Sequence, residues 1–552
     1  MRYLLRNTRK TERGASEFLI RLEVRAAPFA LLRNTRKTER GANQFLTPLV
    51  VRAASFALLL AIALSSAAAA AIPCERLAKL GLPHSTVTLA QSVPAGQLSL
   101  PAGALPVFPG FTPPNFGNLP AICRVAATLK PAADSDIKIE VWLPAANWNG
   151  KLESVGNGAW AGSISYRDLA SAVTAGYAAA STDTGHIETT AVFVVGHPEK
   201  LIDFAYRAVH EMTVASKVIT AAYYGKNPAR AYFNGCSTGG RQALTEAQRY
   251  PSDYDGIVAG AAANYPSRLQ GAQVWTTEIT NQSDGYIPAA KYPLIHKAVL
   301  EACDALDGVK DRVLEDPRRC HFDPKTIECK GADAPTCLTA GQVDVARKIY
   351  AGPGASLFPG LERGSELGWA TLSGPKPMAL AAETYQYLVF KDPSWDYLKF
   401  DAARDMAIAD KEIGPTMNAI DPNLQPFFKH EGKLLMYHGW ADPGIAPQNS
   451  VNYFTSVEDT VGGKSKAAGS IRLFMVPGMG HCRGGDGTDD FDAIGTLATW
   501  VESNKAPDYI PAAHKTNGVI DRTRPLCPYP QAAHYKGSGS TDDAANFVCA
   551  AQ

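Results

Sequence analysis

A serine set between glycines, Gly235-Cys236-Ser237-Thr238-Gly239, is followed far downstream by Asp442 and by the pair His481-Cys482. A free serine hydroxyl is a poor nucleophile and needs a base beside it. His481 is the candidate base, and Asp442 would hold its tautomer and stabilise the imidazolium. A nucleophilic serine on a sharp strand-to-helix turn requires neighbours small enough for close backbone approach, which Gly235 and Gly239 supply. The chemistry these residue types predict is acyl transfer through a serine. An oxyanion hole is then expected from the backbone N–H of Thr238 and from a second donor on a glycine-rich loop after an early strand. Gly156-Asn157-Gly158-Ala159 is such a loop, and Gly158 is the chosen donor. Losing one donor of this kind typically costs roughly 3–4 kcal/mol of transition-state stabilisation. Asp183 and His186 sit in a Gly/Thr turn and read as turn residues. His438 reads as a buried, hydrogen-bonded histidine rather than a second base.

Three pieces of chain must be brought together, and the elements around them are legible. Ile137–Leu143 and Lys151–Val155 read as strands, and so does Tyr177–Ser181. Phe204–Tyr224 has helical spacing, with Gly225 just past its end. Arg230–Phe233 reads as a strand, Gly235–Gly239 as a tight turn, Arg241–Arg249 as a helix and Asp255–Ala261 as the next strand. Lys433–His438 and Ile471–Val476 are further strands, each leading directly into one of the acid and base segments. Alternating strands and helices imply a mostly parallel sheet covered on both faces. Together with the chain order Ser…Asp…His, this predicts an α/β fold of the α/β-hydrolase kind. The alternation fails between 263 and 430, where Pro, Gly, aromatics and cysteines are richer. The expected organisation is a leader (1–71), a first core segment (72–262), an inserted lid domain (263–430) and a second core segment (431–552).

The chain holds 10 cysteines. An even number behind an export signal predicts disulfides. Cys74 with Cys123, Cys303 with Cys320, Cys329 with Cys337 and Cys527 with Cys549 form plausible pairs, leaving Cys236 and Cys482. A bond between those two would anchor Ser237 beside His481; two buried thiols are the alternative. No C-x-x-C pair occurs, which argues against structural zinc. Inside the Cys303–Cys320 loop, Asp304, Asp307 and Asp311 form an acidic turn around Gly308. Hard oxygen ligands in a tight turn suit Ca²⁺, with main-chain carbonyls at Val309 and Val313 completing the shell. A solvated acidic loop is the competing reading.

The chain of 552 residues is too long for one ordinary core. Residues 1–71 hold 12 Lys/Arg against 4 Asp/Glu, and the remainder 42 against 49. A mildly acidic body gives no electrostatic reason to expect nucleic-acid binding. Arg52, the apolar run Ser55–Leu64 and the alanines to Ala71 have the layout of a secretory signal peptide, short for a membrane span, with an uncleaved anchor as the alternative. The expected location is therefore secreted or periplasmic. Leu4–Ala15 is repeated letter for letter at Leu31–Ala42, and the native start is expected near Val50 or Val51.

Three strings together resemble the tannase and feruloyl esterase family, which also includes a hydrolase of a terephthalate monoester. They are Gly235-Cys236-Ser237-Thr238-Gly239-Gly240-Arg241-Gln242, His438-Gly439-Trp440-Ala441-Asp442 and Gly478-Met479-Gly480-His481-Cys482, and the resemblance spans nearly all of 72–552. It implies a hydrolase core with a lid domain, a Ser237–His481–Asp442 triad and a Cys236–Cys482 bond. It also implies structural Ca²⁺ held in the lid by Asp304, Asp307, Val309, Asp311 and Val313. Arg312 stands where that calcium turn would have glycine. The expected reaction is hydrolysis of a small aromatic ester of plant cell-wall or tannin origin, through an acyl-enzyme. Another serine acyl-transfer enzyme (a peptidase or acyltransferase) and a non-catalytic, calcium-stabilised binding protein are the alternatives. Tyr385, Phe390, Trp395 and Trp369 could line an aromatic pocket, though each reads first as core packing.

Overall fold

The computed structural model describes residues 72–100, 103–105, 114–160, 162–281 and 284–551; the expected leader lies outside them. Nine strands form the central sheet: β1 (Ser85–Val93), β2 (Ile122–Leu129), β3 (Ile137–Pro144), β4 (Lys151–Val155), β5 (Ala178–Thr182), β6 (Arg230–Cys236), β7 (Gly256–Gly260), β8 (Lys433–Gly439) and β9 (Ile471–Val476). Their order is β1-β2-β3-β5-β4-β6-β7-β8-β9. The first three strands and β5 pair antiparallel, whereas β5, β4, β6, β7, β8 and β9 run parallel.

Parallel strands are buried on both faces, so they read as continuous apolar runs whose alternate residues serve opposite sides. In β6, Ala231 and Phe233 enter one apolar cluster and Tyr232 the other; in β8, Leu434 and Met436 oppose Leu435 in the same way. Helices α1 (Tyr166–Thr174), α2 (Ala208–Tyr224) and α3 (Thr238–Arg249) belong to the first core segment. Four longer helices follow β7: α4 (Pro266–Asn281), α5 (Tyr292–Cys303), α6 (Ala340–Ala351) and α7 (Ala402–Glu412). After β8 come α8 (Gln448–Val461) and α9 (Ala493–Ser503). Residues of α2, α3 and α8 pack on one face of the sheet, and residues of α1 and α9 on the other. This is the α/β architecture that the strand–helix alternation predicts.

Between β7 and β8 the described chain adds helices and turns but no strand to any sheet. It builds its own apolar cluster, with Trp369, Tyr385 and Met406 fully buried, and Trp160, Phe193 and Phe204 from the first core segment join it. Tyr385 donates its hydroxyl to the Ser267 carbonyl at 2.9 Å, and the Trp369 indole N–H reaches Ser365 Oγ at 3.0 Å. Both aromatics therefore serve packing. Two smaller sheets close the C-terminal end: β10 (Asp490–Phe491), β11 (Ile510–Thr516) and β12 (Val519–Leu526) in one, β13 (Gln531–Tyr535) and β14 (Phe547–Ala551) in the other.

Among the described residues no helix is long and apolar enough to cross a membrane. All ten cysteines are paired: Cys74–Cys123, Cys236–Cys482, Cys303–Cys320, Cys329–Cys337 and Cys527–Cys549.

Candidate active site

Ser237 stands alone between the end of β6 and the start of α3, with φ 64° and ψ −121°. A non-glycine residue held there is strained, and such strain concentrates at functional positions. The surroundings enforce it. The Ser237 N–H donates to Gly260 O at 3.0 Å, and the Ser237 carbonyl accepts from Arg241 N and Ala263 N, both at 3.0 Å. Gly235 is required because a β-carbon there would collide with the Gly239 carbonyl.

The loop after β4 packs directly on this turn. A β-carbon on Gly156 would lie 2.6 Å from Gly239 Cα. Gln242 in α3 clasps Asn157 twice: Asn157 N donates to its Oε1 at 3.0 Å, and its Nε2 donates to Asn157 Oδ1 at 3.0 Å. Thr238 Oγ1 donates to Ala159 O at 3.1 Å. Gly158 sits between these anchors and faces open space. Its loop and the Thr238 N-terminus of α3 are thus held side by side. Gln242 was not singled out from sequence, although it stands in the string that carries the family resemblance.

Asp442 follows β8 and is fully buried. Its Oδ1 accepts from the N–H groups of Gly444 (2.8 Å) and Ile445 (3.0 Å). Its Oδ2 lies 2.6 Å from His481 Nδ1 and 3.1 Å from His438 Nε2. Burial alone would raise this carboxyl's pKa; the His481 charge and the two histidine hydrogen bonds outweigh it and hold the group well below the usual carboxylate range. A carboxylate only accepts, so His481 Nδ1 carries the proton and Nε2 is left as the acceptor. Burial pulls the His481 pKa down, but the Asp442 charge and hydrogen bond win, and it rises above its ordinary value of 6.5.

His481 lies on the loop after β9. The Cys236–Cys482 bond fixes that loop to the serine turn, with Cα atoms 6.1 Å apart. Ser237 and His481 each adjoin one of these cysteines, so their Cα atoms are at most about 14 Å apart, given 3.8 Å per peptide. The other side of the loop is held by His296 of α5, whose Nδ1 meets Glu366 Oε2 at 2.9 Å and whose Nε2 meets Asp486 Oδ2 at 3.2 Å. Burial opposes charge on His296, yet the two carboxylates push its pKa up to about 9. This bridge from the inserted segment to the base loop has no signal in sequence spacing, because its members are 70 and 190 residues apart. A cavity of about 390 Å³ opens beside His481, lined by Trp440, Pro443, Leu300, Leu314 and Leu367 together with the charged groups of Arg312, Arg363, Arg483 and Asp486.

The remaining candidates take quieter places. Asp183 Oδ1 accepts from Lys138 N and Gly185 N, both at 2.8 Å, as an Asx-type turn does. His186 stacks on Phe193 with centroids 3.8 Å apart and reaches Trp160 O at 2.7 Å.

The acidic turn lies at the end of α5. Asp304 Oδ1 accepts from Asp311 N (3.2 Å) and Arg312 N (2.9 Å), Asp307 Oδ1 from Val309 N (2.9 Å), and Asp311 Oδ1 from Val313 N (3.2 Å). Burial raises the Asp307 pKa to about 6, with added repulsion from Asp311 and Asp304. Three crowded carboxylates are a donor set that a hard divalent cation suits. Two observations count the other way: among the described residues no three acidic, His or Cys side chains converge as a metal site, and Asp311 Oδ2 is paired with Arg524. Arg312, the position where the resemblance expects glycine, has φ 69°. Replacing it with Gly is expected to raise stability by about 1 kcal/mol, read as a shift in the urea midpoint.

Residues 123–550 match the sequence profile described as tannase and feruloyl esterase. An uncharacterised esterase of Xanthomonas campestris pv. campestris is 36% identical over 547 residues, covering 88% of this chain and 92% of that one. A probable feruloyl esterase B-2 of Aspergillus oryzae is 34% identical over 498 residues, covering 85% and 94%. The crystal structure of feruloyl esterase B from Aspergillus oryzae superposes with a TM-score of 0.81 at 31% identity, over 86% of this chain and 99% of that one. The chain is an ester hydrolase with an α/β-hydrolase fold, and it belongs to the tannase and feruloyl esterase family.

Proposed function

We propose that this is an exported serine esterase that cleaves esters of aromatic acids through an acyl-enzyme. Ser237 attacks the ester carbonyl while His481 Nε2 takes its proton. The oxyanion is met by the backbone N–H groups of Thr238 and Gly158. His481 then returns the proton to the departing alcohol, and water repeats the sequence on the acyl-enzyme. Asp442 keeps the imidazole in the tautomer that leaves Nε2 free. The observation that carries the reading is the Asp442–His481 hydrogen bond held next to a strained Ser237 by the Cys236–Cys482 bond. The feruloyl esterase names of the relatives, and the Trp440, Leu300, Leu314 and Leu367 side chains in the wall of the cavity beside His481, support an aromatic substrate. Five disulfides support an oxidising destination.

Turnover of methyl ferulate, methyl gallate and a terephthalate monoester, beside an aliphatic methyl ester of similar size, tests the substrate class. An aromatic ester should lead the panel by at least about tenfold in kcat/KM, the scale of pocket discrimination. A lead by the aliphatic ester would contradict the aromatic reading.

His481 must be neutral to accept a proton, and its pKa is raised. The acid limb of kcat/KM is therefore expected to have its midpoint above pH 6.5, with activity rising as pH increases through it. A midpoint below 6.5 would show that the Asp442 interaction does not dominate.

We further propose that Ca²⁺ is bound by Asp304, Asp307 and Asp311 with the carbonyls of Val309 and Val313. It would brace the end of α5. Free Ca²⁺ at 100 times its dissociation constant should then add about 2.7 kcal/mol of stability. A melting temperature that falls in EGTA and recovers with Ca²⁺, with both responses lost in Asp307→Asn, is the expected result. No response to either reagent would contradict the assignment.

A further inference from the structure

His438 shares an acceptor atom with the base. It lies in β8, fully buried, four residues before Asp442. Its Nε2 lies 3.1 Å from Asp442 Oδ2, the same oxygen that His481 Nδ1 approaches at 2.6 Å. The same Nε2 lies 3.2 Å from the Ile445 carbonyl. Both neighbours only accept, so Nε2 carries a proton. On the far side of the ring, Nδ1 lies 2.7 Å from Ser450 Oγ of α8. A neutral imidazole with Nε2 protonated accepts at Nδ1, so Ser450 donates. The result is a hydrogen-bonded chain running Ser450, His438, Asp442, His481, buried up to its last member.

We infer that His438 acts on the reaction through Asp442, drawing off part of the charge on the one oxygen that His481 feels. Orientation of the carboxylate is already fixed by Gly444 and Ile445 on Oδ1, so a second donor on Oδ2 is not needed to aim it. What the second donor changes is basicity. Hydrogen bonds to a carboxylate stabilise its charge and weaken its pull on any other proton. With His438 present, the imidazolium of His481 is stabilised less than it would be by an Asp442 without that second donor. The base therefore titrates lower and is neutral over a wider pH range. His438 is a positioning residue in this sense: it touches neither substrate nor reacting atoms.

The charged groups that bear on this pH dependence are few. Asp442 faces His438 and His481. His481 faces Asp442, and Arg312, Arg363, Arg483, His296 and Asp486 line the cavity beside it. The hydrogen bonds of His438 go to Ser450, Asp442 and Ile445 and to none of these cavity groups, so exchanging His438 leaves their contributions in place.

The inference rests on the triad reading, and the test separates the two. Labelling of the wild-type enzyme by an organophosphonate establishes the activated serine first; absence of labelling would defeat the triad, not His438. The acid limb of kcat/KM is then compared for wild type, His438→Leu, His438→Gln and Ser450→Ala. Loss of the donor in His438→Leu should move the midpoint up by about one pH unit. Glutamine can present an N–H near the same place and should return the midpoint towards wild type. Ser450→Ala keeps the imidazole but removes the hydroxyl that polarises it, and should give a smaller upward shift. Should His438→Leu fail to fold, the Ser450→Ala and His438→Gln profiles decide. A midpoint that stays put or falls in Ser450→Ala and His438→Leu, or in Ser450→Ala alone if the leucine variant is insoluble, would overturn the inference. Upward shifts that glutamine reverses would support it, because a purely structural histidine has no reason to move the titration of His481.

Discussion

Ser237→Ala is expected to lower kcat for a nitrophenyl or methyl ferulate ester by about 10⁴–10⁶-fold, with little change in KM. The hydroxyl has no substitute in the geometry. No other side chain is held on the β6–α3 turn, where φ 64° and ψ −121° lift one residue clear of both elements. Alanine at the same position carries the same backbone strain and the same hydrogen bonds to Gly260, Arg241 and Ala263, all of which are main-chain. The melting temperature should therefore stay within about 2 °C of wild type, since no buried contact is lost. Binding of an unreactive ester analogue should also survive. Residual activity within tenfold of wild type would mean that the ester carbonyl meets a different nucleophile.

Breaking the Cys236–Cys482 bond is expected to have the largest combined effect on stability and activity. It joins residues 246 apart, so in the chain-entropy account its loss costs up to about 5 kcal/mol. The functional effect is separate. The base loop from Pro477 to Gly487 is otherwise held by main-chain bonds, among them Ala441 N to Met479 O and Gly480 N to Gly484 O, and by side-chain contacts that include Asp442–His481, His296–Asp486 and Arg522 to the Asp486 carbonyl. None of these touches the serine turn. A Cys236→Ser/Cys482→Ser variant should lose kcat by about 10²-fold, the scale expected when reacting groups drift by an ångström. The Cys329–Cys337 bond closes a short loop far from the triad in sequence, and removing it in the same background is the control. Equal losses from both pairs would show that Cys236–Cys482 stabilises without aligning.

The parts of the fold that sequence made legible are those where local pattern and burial agree. β4 is read to the residue, because Lys151–Val155 is bounded by Gly150 and Gly156, and β8 and β9 stand out as apolar runs that lead into turn residues. β2 escapes notice because it carries Arg124, a charge that marks surface in sequence but is buried here. It pairs with Glu140 on β3, which also accepts from Trp142 and Tyr166. A charge matched by a partner on the next strand cannot be recognised one strand at a time. β1 is an edge strand, and its polar alternation reads as loop. α3 begins at Thr238 rather than Arg241: two glycines lower helix propensity, but the close approach of Gly156 to Gly239 and of Gly260 and Ala262 to Gly240 demands them inside the helix. Helix preceding α2 was expected from Phe204, whereas the helical path starts at Pro198 and passes through a π turn at Asp203–Arg207. That turn exposes the Phe204 and Ala205 carbonyls, which accept from the buried Arg241 guanidinium.

The candidate site was legible for the opposite reason. Its chemistry demands rare residue types at the ends of recognisable strands, so Ser237, Asp442 and His481 announce themselves without any knowledge of packing. The residues that hold them do not. Gln242, His296 and Ser450 are ordinary residues in helices, and only the fold brings them to Asn157, Asp486 and His438. His438 carried a weak signal, four residues ahead of Asp442, yet spacing alone could not show that it shares an oxygen with the base.

The most direct measurement is peptide mapping after reaction with a p-nitrophenyl phosphonate ester, for wild type and for His481→Ala. The account requires a single adduct on the peptide containing Ser237 in wild type, and labelling slower by about 10³-fold or more without the imidazole. An adduct on another residue, or a labelling rate that ignores His481, would mean that the serine turn and the base loop do not form one catalytic site.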